Sequence, residues 1–226
     1  MEYGFLKKRI YLPLGFCILV LCLSACSMQK SGSKVDSAQA DKRGKSSEKV
    51  VKQDASQDKI PLKVDYLTPV SAIHKPEIFV YKEKRRLYVM QSSVLVRDYP
   101  VGLGFCPRGD KEKEGDGRTP EGDFLICVKK PASRFIKSLG LNYPTKKHAE
   151  RAFFAGFITP MEFRDILLAF ENKSTPPWST VLGGKIFIHA GGAHKDWTDG
   201  CIALYNSDME ELFQIALVGT PVSIRP

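Results

Sequence analysis

From Ser27 to about Lys59 the chain is Ser, Lys, Gln, Asp and Ala with almost no large apolar side chain. Such a segment cannot bury enough surface to offset the conformational entropy of ordering it. It therefore divides the sequence into a short apolar leader, a tether over residues 26–60, and a C-terminal part, residues 61–226, that must hold any core. That last part is long enough for one substantial domain. The 226-residue chain is 43% hydrophobic and 26% charged, which excludes a collagen-like or wholly disordered protein. Only one apolar run is long enough to concern a membrane, so a polytopic membrane protein is excluded as well.

That run is the leader. Lys7, Lys8 and Arg9 precede an apolar stretch from Ile10 to Leu23, the pattern of an export signal over residues 1–25. The stretch is short for a transmembrane helix and flanked wrongly for one. It ends in Leu23-Ser24-Ala25-Cys26, which resembles the bacterial lipobox, whose Cys is acylated and becomes the first residue of the mature protein. The resemblance implies a bacterial lipoprotein anchored through Cys26 to the periplasmic face of a membrane. With Ser27 next, the outer membrane is favoured in a Gram-negative cell. Several acyl chains, at about 0.8 kcal/mol per buried methylene, anchor a protein firmly. The net charge of +9 is spread out, with eight basic and five acidic residues in the tether alone. No focused basic patch stands out, and an exported protein is not expected to meet nucleic acid. Attraction to anionic lipid or wall polymer suffices.

Beyond the tether the apolar pattern changes. Ile78 and Val80, then Leu87 and Val89, alternate about Lys82–Arg85 as a hairpin does, and Val94 and Val96 continue the alternation toward Val101. Gly102 and Gly104 are expected to flank a turn, and a charged, solvated loop runs from Pro107 to Arg118. Asp123–Val128, Lys185–His189 and Thr220–Ile224 read as further strands. Two helices are signalled by capping boxes, Thr159-Pro160-Met161-Glu162 and Ser207-Asp208-Met209-Glu210, the first with Pro at the opening position. Ile166, Leu167 and Phe170 follow the first, and Leu212, Phe213 and Ala216 are expected to face inward from the second. The fold class is mainly β, with a helical insertion at about residues 145–172.

Six cysteines suggest three disulfides, but their positions do not. Cys17 and Cys22 leave with the signal and Cys26 takes lipid, so Cys106, Cys127 and Cys201 remain. Three is odd, and an unpaired thiol in an oxidising compartment is a marker of chemistry. Cys106 and Cys127 are compatible with one disulfide or with two thiols. Cys201 follows Gly200 and stands close ahead of the second capped helix, whose N-terminus would favour a thiolate. His189 ends the run Ile186-Phe187-Ile188-His189, and Gly191 and Gly192 follow. Imidazole is the base that activates thiols near neutral pH. Spacing alone also fits a buried thiol and a hydrogen-bonded core histidine. His189, His194 and Cys201 match no zinc spacing, so no metal and no cofactor is expected. His74 and His148 read as surface residues, and Trp178 as packing.

The wider pattern discriminates. His189 with Trp197-Thr198-Asp199-Gly200-Cys201-Ile202-Ala203-Leu204 resembles the L,D-transpeptidase catalytic domain (YkuD) family. Tyr99–Gly104, Gly115–Gly122, Asn142-Tyr143-Pro144 and the closing Gly219-Thr220-Pro221-Val222 are similar too, so the resemblance covers roughly residues 76–226. It implies a β-sandwich with helical additions, a Cys201 nucleophile, a His189 base and the main-chain carbonyl of Ala190 as the third element. It implies peptidoglycan stem peptides as substrate, with wall crosslinking or attachment of a wall-anchored protein as the outcome. Gly200 and Cys201 offer backbone N–H groups to an oxyanion. Thr198, Asp199, Trp197 and Arg118 are expected on the substrate side. Many members carry His where this chain has Asp199, and Arg or Asn where it has Ala203. An inward Asp199 would raise the thiol pKa, and Ala203 removes a cation that could hold a carboxylate. The same Cys/His site would serve an L,D-carboxypeptidase or crosslink hydrolase, and a non-catalytic wall-binding lipoprotein is the third reading.

Overall fold

The computed structural model describes residues 63–133 and 136–226. The export signal, Cys26 and the tether of residues 26–60 lie outside the described residues. Among those described, nine strands and three α-helices follow one another as β1 (Lys63–Val64), β2 (Glu77–Tyr81), β3 (Arg86–Gln91), β4 (Val94–Pro100), β5 (Gly122–Ser133), β6 (Ile136–Leu141), α1 (Lys146–Phe154), α2 (Pro160–Glu171), β7 (Phe187–Ala190), β8 (Ile202–Leu204), α3 (Asn206–Ile215) and β9 (Pro221–Arg225). None of these helices is long and apolar enough to cross a membrane.

The strands are ordered β1-β4-β3-β2-β9-β5-β6-β7-β8. β5 belongs to both halves. Its first residues, Gly122–Leu125, pair with β9, and from Ile126 onward it pairs with β6. The register slips between Ile126 and Val128, which makes Cys127 the extra residue of a bulge. Bulges bend a strand and strengthen its twist, and this one lies where β5 passes from one partner to the other. The two halves share one core: Ile78, Val80 and Leu87 from one side join Leu139, Ile188 and Ile202 from the other. The architecture is the expected β-rich sandwich with helices added.

The β2–β3 hairpin forms as the alternation predicts, with Val80 opposite Leu87 and Ile78 opposite Val89. In β4 the alternation breaks. Val89 faces Arg97 and Met90 faces Leu95, which leaves Val96 as a bulge residue, and Leu95 and Val96 are both buried. α2 begins at its capping box: Thr159 Oγ1 accepts from the Glu162 N–H at 3.2 Å and Glu162 Oε2 accepts from the Thr159 N–H at 2.8 Å. Its buried residues are Ile166 and Ala169, while Phe170 is exposed. With α1 it encloses a second, small core of Ala149, Ala152, Ile158, Ile166 and Leu182.

Three expectations are corrected. α3 starts at Asn206 with Tyr205 as its cap, two residues ahead of the expected Ser207 cap, because β8 ends at Leu204 and the chain bends directly into the helix. Ser207 instead donates to the carboxylate of Asp208. Gly102 and Gly104 do not flank a turn. They run beside the segment that holds Thr198 and Ala203, with bridges Gly102↔Ala203 and Gly104↔Thr198. His148 is wholly buried rather than on the surface, stacked on Phe124 and edge-on to Tyr143.

Candidate active site

β6, β7 and β8 lie side by side, and their register fixes what shares a face. Leu139, Ile188 and Ile202 form one row and point into the core. The next row, Lys130, Ser138, His189 and Ala203, points the other way. Cys201 directly precedes β8, so strand alternation sets its side chain on the His189 face. Phe187, two residues before His189, donates its backbone N–H to Cys201 Sγ at 3.4 Å. The thiol in turn lies 3.5 Å from the Lys185 carbonyl. A backbone N–H aimed at sulfur favours negative charge there.

His189 is buried, and its Nδ1 lies 2.6 Å from the Ala190 carbonyl oxygen. A carbonyl only accepts, so Nδ1 carries the proton and Nε2 is the basic nitrogen of the neutral ring. The indole of Trp197 stands edge-on to the imidazole at 5.6 Å and is itself held by a hydrogen bond from Nε1 to the Gly192 carbonyl at 3.1 Å. Trp197 therefore packs against the histidine.

The turn before Cys201 is built by Thr198. Its Oγ1 accepts from the Gly200 N–H at 3.1 Å and donates to the Cys201 carbonyl at 2.7 Å. This hydroxyl is committed to shaping the turn. It also occupies the Gly200 N–H that the sequence offered to an oxyanion. Gly200 has φ +132, and a Cβ there would lie 2.6 Å from the Arg118 carbonyl oxygen. Its place in the structure is a close backbone contact with the loop behind it. Gly104 is wedged in the same way, with the Gly117 carbonyl 2.1 Å from where its Cβ would be.

The helix argument for Cys201 does not hold. Cys201 leads into β8, and α3 begins only after that strand. Three strand residues span about 10 Å, while the field of a helix end fades within its first turn. Asp199 is exposed at the rim. Ala203 is fully buried, between His189 on β7 and Gly102, with which it exchanges both backbone hydrogen bonds. The Arg118 guanidinium pairs with Glu112 at 3.1 Å and reaches the Asp110 carbonyl. Its contacts, which include Cys106, hold its charge firmly on. Cys106, Cys127 and Cys201 form no disulfide among the described residues, and burial pushes the Cys127 thiol pKa up.

The loop over residues 107–121 is solvated at Arg108, Gly109 and residues 112–115, as its charge suggested, but it is fastened from within by buried ions. Lys82 is 2% exposed, and its ammonium donates to the carbonyls of Gly109 and Thr119 and to the Glu121 carboxylate. All three of its protons are thereby used. Lys111 is equally buried against Asp116 at 2.7 Å. Asp110 accepts from the Glu121 N–H at 2.7 Å, faces His148 Nε2 at 3.2 Å and pairs with Lys147 and Arg151. Burial alone would raise the Asp110 pKa. The bonds from His148, Glu121 and Lys147 outweigh it and hold the carboxyl well below the usual range. Desolvation lowers the His148 pKa against the opposing pull of Asp110.

One positioning residue carried no sequence signal. Asp196 accepts from the Leu103 N–H at 2.9 Å and pairs with Arg85 at 2.8 Å, tying the Gly102–Gly104 segment to the β2–β3 turn. Arg85 and Asp196 are 111 positions apart, so no local spacing connects them. Among the described residues no group of three or more His, Cys, Asp or Glu is placed to hold a metal. A cavity of about 520 Å³ beside Phe124, Asn142 and Phe170, and one of about 480 Å³ among Tyr66, Tyr81 and Tyr88, include neither His189 nor Cys201.

No curated protein matches the chain. Among solved structures, an L,D-transpeptidase from Xylanimonas cellulosilytica is similar at 13% identity and a TM-score of 0.40, covering 66% of this chain and 60% of that one. The helical cell shape determining protein Pgp2 from Campylobacter jejuni is similar at 20% identity and 0.45, covering 66% and 47%. Bd1075 from Bdellovibrio bacteriovorus is similar at 22% identity and 0.42, covering 68% and 49%. This chain thus spans less than two thirds of the length of each. The model of the L,D-transpeptidase catalytic domain (YkuD) family matches residues 75–224, well over half of the sequence and all of the site just described. On that match, the chain belongs to the L,D-transpeptidase catalytic domain (YkuD) family.

Proposed function

We propose that this protein is an exported, lipid-anchored peptidoglycan L,D-transpeptidase with Cys201 as nucleophile and His189 as base. The observation that carries the reading is the 2.6 Å contact of His189 Nδ1 with the Ala190 carbonyl, on the same sheet face as the Cys201 thiol. That contact supports a ring whose Nε2 accepts a proton. The thiolate attacks the carbonyl of the third, diamino residue of a tetrapeptide stem, and the terminal D-Ala leaves with a proton from His189. An amine from a second stem, or from a wall-anchored protein, then resolves the thioester. The oxyanion falls to the Cys201 N–H rather than to Gly200, whose N–H Thr198 holds. Anchoring through Cys26, on the outer membrane in a Gram-negative cell, belongs to the same proposal.

Intact mass after exposure to a carbapenem tests the nucleophile. A single adduct is expected on the wild type and none on Cys201→Ala; an adduct that persists in the variant would sink the assignment. Loss from the membrane fraction on Cys26→Ser tests the anchor.

A second reading keeps the acyl-enzyme and lets water resolve it, making an L,D-carboxypeptidase or crosslink hydrolase. The enclosed Ala203, where many members have a cation or an amide, favours it. Muropeptide profiles separate the two: new crosslinks or attached protein mean transfer, and shortened stems alone mean hydrolysis. A thiol of ordinary pKa that resists modification would favour a non-catalytic wall-binding protein.

A further inference from the structure

Five non-glycine residues among those described have positive φ: Arg85, Ser92, Ser93, Lys173 and Lys185. Four have a local reason. Arg85, Ser92 and Ser93 turn the β2–β3 and β3–β4 hairpins, and Lys173 follows the residue that closes α2. Hairpin turns and helix ends ask for left-handed backbone. Lys185, at φ +56, turns no hairpin and ends no helix. It follows Gly183 and Gly184 and leads into β7 through Ile186. For an L residue the conformation is strained, and such strain gathers where a site needs it.

Lys185 is beside the thiol. Its carbonyl oxygen lies 3.5 Å from Cys201 Sγ, and its side chain is exposed. A second ammonium borders the same edge: Lys130 Nζ stands 5.1 Å over the ring of Phe187, whose backbone N–H contacts Sγ. The strand register puts Lys130 in the row of His189. Among the described residues neither lysine has an ion pair. Arg118, by contrast, is paired with Glu112. Position 203 is fully enclosed and holds no charge. Two lysines without an ion pair therefore stand on the β7 side of the thiol.

We propose that Lys185, with Lys130 next to it, forms the subsite that recognises a carboxylate of the donor peptide close to the scissile bond. The backbone of Lys185 borders the sulfur while its ammonium reads the substrate. This rests on the donor proposed above, a peptide bearing carboxylates on its terminal residue and on the side chain of its third residue. Both offer the same chemistry to an ammonium.

The test is peptide binding to the full chain carrying Cys201→Ala, which removes turnover from the measurement. Titration calorimetry compares the tetrapeptide with two analogues, one amidated at the terminal carboxylate and one at the third-residue carboxylate. Lys185→Met is expected to weaken the free peptide roughly tenfold, and Lys130→Met less, since one charged hydrogen bond is lost. Lys185→Arg is expected to stay within about threefold. One of the two analogues should bind Lys185→Met and Lys185 protein equally, and which one it is locates the carboxylate. Lys185→Gly relieves the backbone strain and removes the ammonium, so it should bind as weakly as Lys185→Met. Glycine binding as well as lysine, or Lys185→Met weakening all three peptides alike or none, overturns the subsite. Loss of that subsite leaves Cys201 acylation of the wild type intact. Failure of the wild type to form the carbapenem adduct overturns the transpeptidase reading itself, and the carboxylate subsite with it.

Discussion

Cys201 is flanked by two walls built from different materials. On one side, β7 presents Phe187 and His189 through strand alternation, with main-chain partners for both the thiol and the imidazole. On the other, the loop over residues 107–121 brings the Arg118 carbonyl against Gly200, and the loop itself is fastened by the buried ammonium groups of Lys82 and Lys111. The first wall takes its precision from a sheet that every neighbouring strand helps to define. The second takes its precision from ions withdrawn from water, which hold only while each charge keeps all its partners. A strand-borne wall should tolerate side-chain change, and an ion-fastened loop should fail when one partner is lost.

The largest break is expected where the loop wall touches the turn. In Gly104→Ala a Cβ would stand 2.1 Å from the Gly117 carbonyl oxygen, backbone against backbone, with no flexible side chain to yield. Carbapenem acylation of Cys201 should be abolished, and a normal acylation rate would show that the loop and the Thr198 segment can part without consequence. Lys82→Met is next. It leaves Glu121 and two carbonyls without their donor, and removing one partner of a buried pair costs about 3–5 kcal/mol. Denaturant unfolding checks this, with a loss under 1 kcal/mol showing that the loop does not depend on the ion.

Asp196→Asn should cost about 1 kcal/mol, because its pair with Arg85 is partly exposed. Its effect on acylation should exceed that of Arg85→Met, since only Asp196 also holds the Leu103 N–H. A smaller effect would move the anchor to the arginine. The pH dependence of stability sharpens the comparison further. The Asp110 pKa is lowered on folding, so its contribution is complete above the unfolded value near 3.9 and disappears as pH falls through the folded one. Wild type should lose stability below about pH 4 more steeply than Asp110→Asn, and parallel acid limbs would remove Asp110 from the fastening. The smallest change is expected from Asp199→Asn. Its side chain is exposed, so the thiol titration curve, followed by iodoacetamide modification, should barely move. A clear drop in the thiol pKa would mean that the carboxylate reaches the sulfur.

The strand-borne wall was the legible one. Ile186-Phe187-Ile188-His189 announces a strand by its residue types, and its end places the imidazole, because the information is local. The Thr159 capping box is legible for the same reason. The loop wall was not. Lys82, Lys111 and His148 carry the signature of surface residues, and only partners 39, 5 and 38 positions away make their burial affordable. Gly102 and Gly104 resemble turn glycines, yet they serve close contact with Lys195 and Gly117. The start of α3 departs from its local signal because the end of β8, a tertiary feature, overrides the better capping chemistry of Ser207. β6 carries no clear strand signal because Ser138 and Gly140 interrupt its apolar pattern. Gly140 is needed where Phe187 crosses it, 2.8 Å from a would-be Cβ.

The acceptor that orients His189 is a main-chain oxygen. Every amino acid at position 190 brings the same carbonyl, so no single-codon change can delete it. In a random mutagenesis screen for lost activity, position 190 should return only substitutions too large for its buried side chain, whereas His189 and Cys201 should be hit by nearly any replacement. On the proposed assignment, two side chains rather than three would have to be kept at the centre, and position 190 can vary among residues small enough for its buried place without erasing the histidine's partner.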